Sequence, residues 1–304
     1  MALDEVRFES LGSACHVLGV GLERGRLAWA TAWVAERHDR FSRFEPDSEL
    51  SFLNATPRRR VHVSESMCRF VAVAIDAAQR TGGLVDPTLA DEIETAGYRA
   101  DLGDPVPLEH SLRIAPARMP ARGDAHARWR HVRVDRERRV VKRPRGVRLD
   151  SGGIAKGLFA DLAGAELERF PSYAVDCCGD LRLGGRDGLE RPVRVDDPFG
   201  RGVLHEFHMS AGGVATSGIG RRSWIDAEGR PAHHLLDPST GRPAFTGVVQ
   251  ATALAHTALD AEVRAKAALL SGPIAGPLWL RHGGVLVFDD GSHLVLDPQD
   301  IDAR

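Results

Sequence analysis

Residues 233–243 read HHLLDPSTGRP. Histidine is the natural proton acceptor near neutral pH. Pro238 pushes Asp237 out of the helical region, and Gly241 permits a positive φ, so Asp237 opens a turn with a fixed aim. A carboxylate placed this way can orient a histidine or help hold a metal ion. A lone histidine is more often a core or surface residue without a chemical task. The coincidence of histidine, aspartate and a constrained turn is what raises this stretch above that reading.

Three further stretches carry reactive or ligand-binding residue types. Ser151-Gly152-Gly153-Ile154-Ala155-Lys156-Gly157 joins an expected strand to an expected helix. Glycines let the backbone approach a ligand, and a helix N-terminus offers free N–H groups and partial positive charge. Lys156 adds a full charge, so the stretch suits a phosphate or diphosphate, although it is neither GxGxxG nor a Walker A loop. A tight turn with a solvated lysine explains it equally well. Thr81-Gly82-Gly83-Leu84-Val85-Asp86-Pro87-Thr88 sets Asp86 to accept bonds from a ligand N–H or hydroxyl, or to cap its own backbone. Ala215-Thr216-Ser217-Gly218 offers two hydroxyls at a strand end, which more often serve local backbone.

The elements that must position these residues follow from periodicity. Apolar spacing predicts helices over 24–39, over 64–80 with Ser64 as cap and Gly82-Gly83 as stop, over 154–169 and over 257–270. Residues 130–134 and 139–142 read as a hairpin, 173–255 as short strands and glycine turns, and 285–288 with 293–296 as a closing hairpin. Residues 100–128 lack a period and read as an irregular connection. Helices and strands come in blocks, which predicts an α+β fold rather than a doubly wound sheet.

Composition bounds the function classes. The 304 residues hold 43% apolar and 27% charged residues with a net charge of −2, so no global field draws the chain to nucleic acid or anionic lipid. Arg58-Arg59-Arg60 and Arg143-Pro144-Arg145 read as solvated loops or hairpin faces. No run reaches the roughly 20 apolar residues of a membrane span. The charged start MALDEVRFES lacks an apolar core, so no signal peptide is expected. Cys15, Cys68, Cys177 and Cys178 form no CxxC, which suggests a reducing cytoplasm and no zinc site.

Taken in order, six segments resemble the ApbE family of flavin transferases. They are Phe41 to Ser51 with Asn54; Thr81-Gly82-Gly83 to Thr88; Leu149 to Gly157 with Asp161; Gly179-Asp180 with Gly184-Gly185; Ala215 to Gly218; and His234 to Gly241. The resemblance implies one T-fold-like ApbE domain over 1–304, mixed or antiparallel sheets with flanking helices, two-lobed with the site between lobes. It implies FAD as substrate, a Mg²⁺ ion bridging the diphosphate, and a Thr or Ser hydroxyl of a partner protein attacking the FMN phosphorus as AMP leaves. His234 and Asp237 become the catalytic pair, His234 taking the hydroxyl proton and Asp237 holding the turn; His233 has no part. Asp86 meets the flavin end, and Gly152, Gly153 and Lys156 face the diphosphate. Asp180, Thr216, Ser217 and Lys266 complete the cofactor contacts. The backbone carbonyl of Ala155 and the side chain of Glu262 are the metal ligands.

One departure from the family pattern matters most. The family carries A-D-x-x-x-T on its late helix, where this chain has Ala261, Glu262 and Lys266. A protonated lysine cannot ligate a metal, and Glu262 and Lys266 stand at i, i+4, where they can pair. Asp260 points about 160° away around the helix and is a poor substitute. Either Lys266 supplies the charge a metal would supply, or the site binds flavin without turnover. Hydrolysis of FAD to FMN and AMP by the same fold is a further alternative. Cys178 stands where the family tends to have glycine, and it needs no redox role.

Overall fold

The computed structural model describes residues 3–100 and 103–298. They divide into two compact units. The first comprises Met1–His38, Lys156–Gly218 and Gly247–Arg304. The second comprises Asp39–Ala155 and Ile219–Thr246.

The first unit is built on an eight-stranded antiparallel sheet whose strands lie in chain order. They are β1 (Leu3–Ser10), β2 (Ser13–Val20), β3 (Ser172–Cys177), β4 (Asp180–Gly184), β5 (Gly212–Gly218), β6 (Val248–Ala255), β7 (Gly284–Phe288) and β8 (His293–Leu296). β1 alternates exposed and half-buried residues, as an edge strand does, whereas β6 is buried along almost its whole length. The β3–β4 turn puts Cys178 at φ 57 and Gly179 at φ 90. Two positive φ values fit a two-residue I′ hairpin, whose twist matches that of the strands it joins. Cys178 therefore sits where glycine would be less strained, which accounts for the glycine of the family pattern; nothing in the structure explains the cysteine.

Helix α1 (Arg24–Phe41), α2 (Ala155–Ala165) and α3 (Ala258–Ala275) flank these strands in sequence. In α3, Gly272 leaves the helical region at φ 75 just before Pro273, so the expected 257–270 matches the regular part of the helix. α3 is buried nearly all round and packs its Ala261 against Ala215 of β5 and Ala255 of β6. The contact is close because the facing residues are small. A Cβ on Gly213 would fall 2.2 Å from the backbone of Thr257 and Ala258, and one on Gly157 would fall 2.6 Å from the Ala258 carbonyl. The N-terminus of α3 is thus pressed onto β5 and α2 through two positions that only glycine can fill.

The second unit holds a three-stranded sheet with Val140–Lys142 between Arg60–His62 and Arg133–Asp135. Against it lies the helix Glu65–Arg80, capped by Ser64 as expected, with the Ser64 side chain accepting from the Met67 N–H. The expected hairpin is present but shorter, because Arg128–His131 is a 3₁₀ turn rather than strand. Residues 100–128 are not wholly irregular, since Leu108–Arg113 is a short helix. The helix expected over 154–169 ends at Ala165.

Arg143 corrects the reading of its run as solvated. Its residue is 3% exposed. Its guanidinium donates to Leu53 O, to Thr56 O at 2.8 Å and to Val147 O at 2.7 Å. Leu53 and Thr56 close the helix Glu49–Ala55, which has no basic residue in its last turn. Arg143 therefore caps the orphan carbonyls and the negative end of that helix from far along the chain. Beside it, Asn54 exchanges two 2.8 Å hydrogen bonds with the backbone of Leu149, fixing the segment that leads into the glycine turn, which is irregular where a strand was expected.

No helix among the described residues is long and apolar enough to cross a membrane.

Candidate active site

The candidate residues fall on both units. Lys156, Asp180, Thr216, Ser217, Glu262 and Lys266 belong to the first; Asp86, Gly152, Gly153, Ala155, His234 and Asp237 belong to the second.

In the first unit, four of them form one buried charge cluster at the start of α3. Thr257 caps α3 by accepting from the Asp260 N–H, and Asp161 on α2 accepts from Ala258 N at 2.8 Å and Leu259 N at 2.9 Å. That anchoring fixes Glu262 one turn later. Glu262 is 1% exposed and uses both oxygens. Its Oε2 accepts from Gly157 N at 2.9 Å, and its Oε1 accepts from Lys266 Nζ at 2.8 Å. Lys156 Nζ lies 2.9 Å from Asp180 Oδ2. Burial pushes the Asp180 carboxyl up to about 7, against the pull of Lys156. Glu262 is held below the usual range; burial works against this, but Lys266 and Lys156 outweigh it.

These donors do not fit a divalent cation. Mg²⁺ demands near-octahedral oxygen ligands and sheds water reluctantly. Both oxygens of Glu262 are already engaged, and an ammonium group stands where the second side-chain ligand would be. No group of three His, Cys, Asp or Glu among the described residues is placed to hold a metal. Asp260 does point elsewhere, to Arg264 at 2.6 Å.

Thr216 and Ser217 do not join that cluster as a pair. Neighbours on a strand face opposite sides of the sheet. Thr216 is exposed and meets its cross-strand partner Thr252, hydroxyl to hydroxyl, at 2.9 Å, whereas Ser217 is 6% exposed.

In the second unit, Asp150 shapes the glycine turn. Its Oδ1 accepts from Gly152 N at 2.7 Å, and its Oδ2 pairs with Arg43 Nε at 2.9 Å. Gly152 and Gly153 are not buried, while Ile154 and Ala155 are. Asp86 turns back on its own chain, accepting from Thr88 N at 2.7 Å and from the Thr88 hydroxyl. Burial raises its carboxyl, and those two bonds only partly offset this.

His234 sits at the join of two small hairpins, between Pro231–His233 and Leu236–Asp237. It is half-buried, and its backbone N–H donates to Arg222 O at 3.3 Å. Asp237 is the fastener of the turn. Its Oδ1 accepts from Arg122 N and Ser239 N, each at 3.0 Å, and from the Ser239 hydroxyl at 2.8 Å. Its carbonyl accepts from Gly241 N at 2.8 Å. Gly241 has φ 67, the positive value that the sequence required of it.

His233 is buried, against Phe245 at 4.8 Å, and its Nδ1 accepts from Leu235 N at 3.3 Å. Burial holds the imidazole down at about 3. In the unfolded chain it titrates near 6.5, so below that pH the unfolded state binds a proton that the folded state refuses. Stability therefore rises with pH across this window, by about 1.4 kcal/mol per unit. Urea unfolding at pH 6.5 and 4.5 is expected to show about 2 kcal/mol less stability at the lower pH from this residue, because the unfolded imidazole is already half protonated at pH 6.5. His233→Leu is expected to flatten the dependence by that amount; an unchanged slope would contradict it.

Sequence reasoning missed Asn54 and Arg143 as positioning residues, and Asp161 as the cap of α3. Two of the three stood inside quoted motifs, but only contacts reveal their tasks.

The architecture is that of solved flavin transferases. The chain is 25% identical to the ApbE protein of Thermotoga maritima, with a TM-score of 0.78 and 97% of each chain covered. The flavinyl transferase ApbE of Pseudomonas stutzeri shares the fold at 21% identity and a TM-score of 0.77, covering 99% of this chain and 96% of that one. The ApbE family profile matches residues 11–288, and the chain belongs to the ApbE family. It is 30% identical to the FAD:protein FMN transferase of Treponema pallidum over 247 residues, 74% of this chain and 66% of that protein. It is 26% identical to that of Klebsiella pneumoniae over 294 residues, 92% of this chain and 82% of that protein.

Proposed function

We infer that the protein is an FAD:protein FMN transferase, which attaches FMN through a phosphoester to a Thr or Ser of a partner flavoprotein and releases AMP. The observation that carries this reading is the family match over residues 11–288, which takes in every candidate residue. The acceptor hydroxyl attacks the FMN phosphorus, the bond to the AMP oxygen breaks, and the hydroxyl proton passes to His234. Transfer of this kind needs positioning and charge neutralisation more than covalent catalysis. The rigid Asp237 turn supports a fixed aim for His234. Gly152, Gly153 and Lys156 face the diphosphate, Asp86 the flavin, and Asp180, Thr216, Ser217 and Lys266 line the remaining contacts.

Free thiols at Cys15, Cys68, Cys177 and Cys178 support a reducing, cytoplasmic setting. Cys15 and Cys178 lie 3.6 Å apart, sulfur to sulfur, without a bond.

The buried Glu262–Lys266 pair favours one second reading, a relative that binds FAD without turnover. AMP release from FAD, measured with and without a flavinylatable acceptor domain, separates the readings. The expected result is AMP only with the acceptor, with covalent flavin on it. AMP without an acceptor would make the protein a hydrolase, and bound FAD with no AMP would make it a binding protein.

A further inference from the structure

The misfit between the late helix and a divalent cation has a positive side. Resting on the flavin reading above, we infer that Lys266, seated on Glu262, gives the FAD diphosphate the positive charge a bound divalent cation would otherwise give, so that this chain binds FAD without metal.

Lys266 is an ammonium with three N–H donors. Among the described residues it gives one of them to Glu262 Oε1, at 2.8 Å. Its side chain is 10% exposed and that of Lys156 is 18% exposed, so each reaches solvent from an otherwise buried cluster. A buried ammonium with donors to spare seeks a strong acceptor, because leaving them unmade forfeits the desolvation cost. Phosphate oxygens are such acceptors, and lysine meets them as a point charge.

The carboxylates are arranged to hold the lysines rather than to hold a cation of their own. Glu262 is closed by Gly157 N and Lys266, and Asp180 Oδ2 faces Lys156. Neither Asp180 oxygen has a hydrogen-bond partner among the described residues, and Oδ2 is held by the ion pair with Lys156. One carboxylate offers at most two ligands where Mg²⁺ requires several. Seating a cation on Glu262 would first require pulling Lys266 from it, which strands the ammonium in a buried place beside a second positive charge.

The experiment is a titration of FAD into the purified full chain, followed by flavin fluorescence. It is run once in EDTA and once in MgCl2, with covalent transfer to an acceptor domain scored in both. The expected result is a Kd for FAD that agrees within about threefold between the two buffers, together with transfer that persists in EDTA. Tightening of tenfold or more by Mg²⁺, or transfer only with Mg²⁺, would overturn the inference. Metal-independent FAD binding without transfer would uphold it while removing the transferase reading. No FAD binding in either buffer would remove both. Lys266→Met, checked for folding by circular dichroism, is expected to weaken FAD binding at least tenfold in EDTA. If it binds FAD as the wild type does, Lys266 is not the charge in question. Should that variant not fold, the two-buffer comparison on the wild type still decides.

Discussion

His234→Ala is expected to slow covalent flavin transfer by about 10²–10⁴, the usual contribution of a positioned general base. FAD affinity should change by no more than a few-fold, because the imidazole is assigned to the acceptor's proton and not to the dinucleotide. The fold should tolerate the change. His234 is only half-buried, and its backbone bond to Arg222 O does not involve the ring. The turn beyond it is fastened by Asp237 and by Gly241, neither of which needs the imidazole. Single-turnover transfer, read as fluorescent flavin on the acceptor in a denaturing gel, measures the effect directly. A variant that transfers at the full rate would remove His234 from the chemistry. An equal loss in FAD affinity would recast it as a binding residue.

Arg143→Met is expected to lower stability by about 3–5 kcal/mol. That is a large share of the 5–15 kcal/mol that separates a typical native protein from its unfolded chain. The methionine fills similar space but leaves Leu53 O, Thr56 O and Val147 O without their donor. Each buried carbonyl so abandoned costs about 1–3 kcal/mol. Arg145→Met, two residues along and exposed, is the control and should stay within about 0.5 kcal/mol. Urea midpoints for the two variants check both statements. Equal midpoints would mean the carbonyls find water instead.

These two residues show what the sequence discloses and what it does not. The turn after His234 was legible because proline and glycine constrain φ locally, and the structure has the required positive φ at Gly241. Ser64 was legible as a cap for the same local reason. Glu262 and Lys266 were legible as an i, i+4 pair, since helix geometry alone brings them together. Arg143 was not, because its partners lie in a helix that ends nearly ninety residues earlier. Nothing in an arginine-rich run distinguishes the one side chain that caps a distant helix. Thr216 and Ser217 were read as a pair of hydroxyls, and strand alternation separates them. The helix Glu49–Ala55 was not read from the sequence, although Ser48 caps it by accepting from Ser51 N. Strand β1 carried the alternation of a half-buried strand in Glu5, Val6, Arg7, Phe8 and Glu9, a signal the sequence reading passed over.

The order in which β2 finds its neighbour bears on how the protein is made. β2 pairs with β1 at once but with β3 only across the register Val20↔Ser172. Roughly 150 residues must leave the ribosome in between, which at about 5–20 residues per second takes on the order of 10–30 s. Throughout that time β2 adds a second open row of backbone donors and acceptors to the β1 edge that stays open in the finished sheet, the kind of edge on which chains aggregate. Synthesis rate and chaperone supply therefore act on the yield of this protein through one unpaired strand.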